Sequence, residues 1–499
     1  MSCCKFHPDQ PARFLSRREM LLNAGFGFGA WALLDLLTRD GLAEKALPSA
    51  PVVAASNPLA AKPAHLASRA KHVIFLFMQG GPSQVDTFDP KPMLNKLHGQ
   101  PLPASLIKGL TLQFTHMDAR VLRSPQTFSR CGQSGMEIAD TYPNLQQCAD
   151  DLAILRSCYH ESFNHAPAQY LTNTGSARMG RPSLGSWVTY GLGSESENLP
   201  AFVVMQTTGD VKGGPPVYGR GFLPGTYQPT ILRNTGSPVL YLDPPARNDL
   251  AEQRRILDMS QWLNQQHMLA RGEDVDDLSS RISSYELAFR MQSAVPDAVD
   301  LSQESAATRE MYGLNDTMSA KFGADCLIAR RLVERGVRFV QIFTGSGGMG
   351  DDWDGAHAEN DKVHRAMAHR TDKPIAGLLQ DLKHRGLLDE TLVIWGGEFG
   401  RTPLADGRYP DKPAGRDHNP YGFTTWLAGG GVKGGQIYGA TDEVGFRAVE
   451  NPVHINDLHA TILRLLGLDH RKLTFLFEGR QMRLTDVGGD HDIAARLVG

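Results

Sequence analysis

The sequence predicts a doubly wound α/β fold, with a mostly parallel sheet and helices on both faces, and three observations point to it. Short runs of almost unbroken apolar residues recur along the chain, as they do in strands buried on both faces. Helical patterns separate them, the alternation that builds parallel sheets. Glycine-rich, polar clusters follow several of the runs, at the strand ends where open α/β sheets hold their ligands.

The first run, His72-Val73-Ile74-Phe75-Leu76-Phe77-Met78, reads as a central parallel strand ended by Gln79-Gly80-Gly81-Pro82. Further strands are expected at 152–155, 201–205, 337–343 and 391–395, and helices at 375–385 and 457–466. Residues 206–248 are dense in Gly, Pro and Thr and read as a long covering loop. Residues from about 249 to 335 are polar and helical, with mixed charges at 252–255 and 274–281, and read as a helical insertion beside the site. The expected body is thus one α/β domain over 69–499, interrupted at about 206–335.

Ser16-Arg17-Arg18-Glu19-Met20-Leu21, followed by a moderately apolar run at 21–37, resembles a twin-arginine export signal. Residues 1–40 are then the signal, and 41–68, rich in Ala, Pro and Ser, a disordered lead-in. The apolar run is short for a membrane span, so no stable span is expected in the mature chain. The twin-arginine translocase is the implied partner, and the periplasm or cell envelope the destination. This route also suits a site loaded with metal before export. Cys3 and Cys4 precede the signal. Cys131, Cys148, Cys158 and Cys326 contain no close Cys-x-x-Cys pair, which argues against a structural zinc knot and leaves one or two disulfides open. A net charge of −3 over 499 residues gives no drive toward nucleic acid.

Four clusters carry candidate chemistry. After the first strand, Gly80-Gly81 allow close backbone approach, and Asp86 and Asp89 offer hard oxygen donors, Asp89 more as a turn cap. The second, Cys158 to Tyr170, holds Ser162, Asn164 and His165 at a helix start, where free amides or an imidazole could meet an anion or metal; Asn164 also reads as a plain helix cap. The third follows the 337–343 strand: Asp351, Asp352, Trp353, Asp354 and His357, in which an aspartate and a histidine three apart in a turn can share one metal. His364 and His369, on the helix beyond, are explained by an exposed polar face. In the fourth, the apolar strand Thr391-Leu392-Val393-Ile394-Trp395 runs through two glycines to Glu398 and Arg401, with Asp417 and His418 on the next loop. A dry, unpaired Glu398 would cost several kcal/mol, so it needs a metal or Arg401 beside it.

These clusters carry a family resemblance. The helix, Gly386-Leu387-Leu388-Asp389-Glu390 turn and strand before Glu398 resemble the stretch of sulfatases and phosphoglycerate mutase-type phosphatases that ends in an Asp-His-Gly metal motif; here Glu398-Phe399-Gly400 stands in its place. His165-Ala166-Pro167-Ala168-Gln169 through Thr174-Gly175 resembles the sulfatase Cys-x-Pro-x-Arg signature, with His165 at the formylglycine position and Gln169 for the Arg. Together with Gly80 to Pro92, Gly397 to Pro403 and Gly415 to Pro420, the chain resembles a poorly characterised, twin-arginine-exported, sulfatase-like bacterial family within the alkaline phosphatase superfamily. The resemblance implies a hydrolase of small-molecule or glycan phosphate or sulfate esters. It would use one or two divalent ions (zinc, calcium, magnesium or manganese) held among Asp86, His165, Asp354, His357, Glu398, Asp417 and His418. Without the usual nucleophile, a metal-activated water would attack, Arg401 or a backbone amide would steady the anion, and Ser162 is the alternative nucleophile. The same losses allow a non-catalytic exported binding or envelope-assembly protein.

Overall fold

The computed structural model describes residues 57–499, apart from short stretches at 113–114, 117, 234–235, 241, 243–248, 272–275, 346–351, 407–413, 487, 490 and 499. The twin-arginine motif, Cys3, Cys4 and the 41–56 part of the lead-in lie outside the described residues.

A nine-stranded sheet forms the centre. Its strands are β1 (His72–Phe77), β2 (Leu152–Tyr159), β3 (Phe202–Gln206), β4 (Thr230–Leu232), β5 (Phe339–Phe343), β6 (Thr391–Gly396), β7 (Phe423–Ala428), β8 (Gln436–Tyr438) and β9 (Val453–His454). Their order is β8-β2-β7-β6-β1-β5-β3-β4, with β9 also paired to β2. Neighbours run parallel except at β7, which lies antiparallel between β2 and β6. The main helices are α1 (His165–Thr174), α2 (Leu184–Leu192), α3 (Leu250–Arg271), α4 (Asp276–Val299), α5 (Ala320–Glu334), α6 (Asn360–His384) and α7 (Ile455–Leu465).

The strand β1 explains the layering. All six of its residues are buried. Side chains alternate across a strand, so Ile74 and Leu76 enter the core shared with α5 and α6, while Val73, Phe75 and Phe77 enter the core shared with α2 and α7. Each fully buried apolar side chain contributes about 1.5–3 kcal/mol, which is why unbroken apolar runs sit in the middle of the sheet. The mostly parallel α/β architecture with helices on both faces is therefore present, with every strand expected from the sequence in it.

Several features differ from the sequence reading. The strand β7 was not expected; its Trp426 lies opposite Trp395 of β6, and the two indoles stack at 6.0 Å with an interplanar angle of 1°. The stretch 206–248 includes an edge strand, β4, and short helical turns at Pro215–Val217 and Gly225–Tyr227. In 249–335, α3 packs on α4, α4 adds Met291, Val295 and Ala298 to the core and meets α5, and α5 packs against α6 and β5. The helix expected at 375–385 begins much earlier, at Asn360, and continues through Pro374. His364 on it is buried and not on an exposed face, while His369 is exposed. Cys131, Cys148, Cys158 and Cys326 are all buried and unpaired, so no disulfide forms among the described residues.

Candidate metal centre

The polar clusters converge at the carboxyl ends of the parallel strands. Gln79 and Gly80 follow β1, His165 opens α1 after β2, Asp352 to His357 follow β5, and Glu398 follows β6. His418 reaches the same place through a two-stranded ribbon, Gly400–Arg401 against His418–Asn419, in which His418 pairs with Arg401. Gly80 makes the approach feasible. Its φ is +105°, and a Cβ there would lie 2.4 Å from the backbone nitrogen of Asp354.

Asp354 is the hub. Its Oδ1 lies 2.9 Å from His165 Nε2, 3.2 Å from His418 Nε2, 3.4 Å from His357 Nε2 and 3.1 Å from Arg401 Nη2. His357 Nε2 and His418 Nε2 are 2.8 Å apart. Each imidazole is anchored through its other nitrogen: His165 Nδ1 to Glu398 Oε1 at 2.7 Å, His357 Nδ1 to Asp406 Oδ2 at 2.6 Å, and His418 Nδ1 to the Phe163 carbonyl at 2.8 Å. Carboxylates and carbonyls accept, so each Nδ1 carries the proton and each Nε2 turns a lone pair inward. Arg401 and Lys212 already place positive charge on Asp354, and a cation between the imidazole nitrogens would relieve the close approach of His357 and His418.

The donor set fits a divalent metal. Two sets of donor atoms, those in each within 4.8 Å of one another, could each hold an ion, His165, Asp354 and His418 in one and His357, Asp417 and His418 in the other; ligands about 2.0–2.1 Å from a tetrahedral ion stand roughly 3.3 Å apart. Anchoring of the second imidazole nitrogen by a carboxylate or carbonyl is the usual support of a metal-bound histidine. His165 Nε2 is buried and lies beside Asp354 without hydrogen-bond alignment, and Glu398 Oε2 is buried without a partner. Such atoms need a positive charge nearby.

The electrostatics divide the imidazoles: His418 is held in the neutral form that a metal ligand needs, whereas without a metal the neighbouring carboxylates favour the protonated form of His165. Burial alone would push Asp354 up, but His165, His418 and Arg401 hold its carboxyl well below the usual range. Burial lowers the basicity of His165, and the Asp354 and Glu398 carboxylates outweigh it, so His165 is raised. His418 is held neutral, well below its ordinary value, chiefly by burial. A neutral imidazole is what a metal requires.

The other sequence candidates are distributed differently. Glu398 does not face the Nε2 atoms; its Oε1 takes Gly80 N–H at 3.0 Å, Gln169 Nε2 at 3.2 Å and the His165 imidazole, so it orients a ligand. Asp417 lies next to the cluster, and with His357 and His418 it could form a second ligand group. Its oxygens are held by backbone N–H groups of Thr115 at 2.9 Å and His418 at 2.7 Å. Asp86 lies outside the cluster. It forms a fully buried ion pair with Arg416 at 2.8 Å, accepts from Ser83 Oγ at 2.6 Å and Asn360 Nδ2 at 3.0 Å, and its pKa falls to about 2, burial opposing and Arg416 and His364 prevailing. The Ser162 backbone N–H donates to His160 Nδ1 at 3.1 Å. Arg401 is fully buried and spends its guanidinium on the backbone carbonyls of Gly80, Gly81, Trp353 and Arg416 and on Asp354. Sequence reasoning missed Asp406, Gln79 and Lys212, whose Nζ lies 2.7 Å from Asp354 Oδ2. Only the contiguity of Lys212 with a glycine-rich loop hinted at it.

A family model described as "Protein of unknown function (DUF1501)" matches residues 70–497. A search of curated proteins finds no match. Among solved structures, the chain is similar to the PsFucS1 sulfatase from Pseudoalteromonas sp., at 13% identity and a TM-score of 0.35, covering 80% of this chain and 68% of that one. It is also similar to alkaline phosphatase from the Antarctic bacterium TAB5, at 13% identity and a TM-score of 0.34, covering 80% and 99%. A third is the phosphonate monoester hydrolase SpPMH from Silicibacter pomeroyi, at 14% identity and a TM-score of 0.32, covering 83% and 76%.

Proposed function

Since the chain belongs to the DUF1501 family of proteins of unknown function, we propose its activity from its own site: a metal-dependent hydrolase of phosphate or sulfate esters. The observation that carries this is the inward convergence of three Nε2 atoms on Asp354 Oδ1, each imidazole fixed from behind. Nitrogen-rich donors of this kind favour zinc or a similar transition ion over calcium or magnesium. When bound, such an ion supplies Lewis acidity and makes water acidic near neutral pH.

The chain's residues do the rest. His165, His418 and Asp354 would hold the ion, with His357 and Asp417 forming a second group around His418; Glu398, Asp406 and the Phe163 carbonyl fix the tautomers. With His165 in place of the ordinary nucleophile, direct attack by water is preferred to a covalent intermediate, Ser162 being the alternative nucleophile. The motif at Arg17-Arg18 supports a periplasmic or envelope location, reached through the twin-arginine translocase. A signal-reporter fusion that stays cytoplasmic would remove that part.

The test measures metal content by mass spectrometry after loading with zinc, together with hydrolysis of aryl phosphate and aryl sulfate. Bound zinc that is lost in His418→Ala and Asp354→Asn, with hydrolysis lost in step, supports the reading. Absence of bound divalent metal sinks it. Loss of the ordinary nucleophile motivates a non-catalytic binding role, and zinc binding without hydrolysis of either ester would favour that instead.

A further inference from the structure

An anionic ester needs a cation to meet it, and Arg401 and Arg416, the fully buried arginines beside the site, are already committed. Arg401 donates through Nε, Nη1 and Nη2 to four backbone carbonyls and Asp354, and Arg416 is closed on Asp86. Lys212 is placed otherwise. Its side chain is 13% exposed, and its Nζ lies 2.7 Å from Asp354 Oδ2 and 3.2 Å from Asp352 Oδ2. An ammonium has three N–H donors, so these two contacts leave one.

The loop that carries Lys212 is fastened to the site. Lys212 N–H donates to Gln79 Oε1 at 3.1 Å, Gln79 Nε2 donates to the Asp210 carbonyl at 3.3 Å, and Gly213 N–H donates to Gln169 Oε1 at 2.8 Å. Tyr170 Oη donates to the Gly213 carbonyl at 2.7 Å. Both glutamines are fully buried, and they sit on the elements that carry Gly80 and His165. Buried amides with specific partners hold a unique geometry, because breaking either contact strands a polar group. The lysine is therefore registered against the imidazole cluster from two sides.

We propose that Lys212 is the residue that takes hold of the anionic group of the phosphate or sulfate ester, and that Gln79 is the positioning residue that keeps it over the site. This rests on the hydrolase reading for its ester, but its test does not depend on turnover. Binding of inorganic phosphate and of sulfate is measured by calorimetry on the zinc-loaded wild type, Lys212→Met, Lys212→Arg, Gln79→Leu and the Lys212→Met/Gln79→Leu double variant, with zinc content determined in parallel. Lys212→Met is expected to keep its zinc and lose on the order of tenfold or more in anion affinity, the worth of one charge-assisted hydrogen bond. Lys212→Arg should recover part of it. Gln79→Leu should weaken binding in the wild-type background and add nothing when Lys212 is already Met, which a general structural lesion would not do. A loss confined to phosphate or to sulfate also supports the assignment and names the ester. Zinc retained with anion affinity within about twofold of wild type in Lys212→Met overturns it. If the wild type binds no zinc, the hydrolase reading fails; the same comparison on the metal-free protein still supports or overturns the role of Lys212.

Discussion

Around the cluster, the chemistry of each residue is decided by which of its atoms is occupied. Glu398 and Asp406 touch the same kind of imidazole nitrogen, and neither faces the converging lone pairs. Glu398→Ala or Asp406→Ala should therefore weaken zinc binding by about 10–100-fold without abolishing it, whereas His418→Ala should abolish it; metal titration against a competing chelator separates the two classes. Asp86 and Arg416 have a different role. Their ion pair has no solvent exposure, so Asp86→Ala leaves a buried guanidinium uncompensated, at a cost of about 3–5 kcal/mol in denaturant unfolding, while zinc stoichiometry stays that of the wild type. Loss of zinc at unchanged stability would return Asp86 to the metal site.

At the scale of elements, what could be read from the sequence follows burial on both faces. The strands β1, β5 and β6 are buried along their whole length and apolar but for His72, Gln341 and Thr391, because both sides are covered, and that pattern is local. The strand β7 mixes Thr424 and Thr425 with Trp426 and follows an Asn-Pro-Tyr-Gly loop, so nothing local marks it, although it joins β2 to β6. The site divides in the same manner. Asp354 and His357 share a short helical turn beyond β5 and His418 sits on the ribbon beyond β6, and their residue types suggest ligands. The contacts of Gln79 with Lys212 and of His357 with Asp406 join distant segments through side chains that look ordinary in sequence. Gln169 reads in sequence only as a lost arginine; folded, it accepts a loop amide and donates to Glu398. Trp426 is fully buried in the core between sheet and helices, and Trp426→Ala should cost about 3–5 kcal/mol by chemical denaturation. A cost below about 1 kcal/mol would mean that β7 is peripheral.

The molecule as a whole carries a pH dependence away from the metal ligands. His364 accepts Ser83 N–H through Nε2 at 2.9 Å, and its Nδ1 faces the Asn360 carbonyl at 2.8 Å, so it is neutral when folded. Burial lowers His364 and His459 to about 4 each. In the unfolded chain both take up a proton below about pH 6.5. Between those values the unfolded state binds more protons, so stability rises with pH, is complete above about 6.5 and is progressively lost toward 4. Urea midpoints at pH 7 and pH 5 check this, the lower pH giving the lower midpoint; equal midpoints would mean that these imidazoles titrate normally in the fold. The parallel indoles of Trp395 and Trp426 supply an optical reporter for such experiments. Two indoles with centroids 6.0 Å apart, held rigidly in the core, share one asymmetric environment, so the folded protein should give a near-ultraviolet circular-dichroism signal that Trp426→Phe diminishes. Because the rings lie on strands that meet only across the assembled sheet, that signal reads tertiary assembly directly, where a helix signal would not.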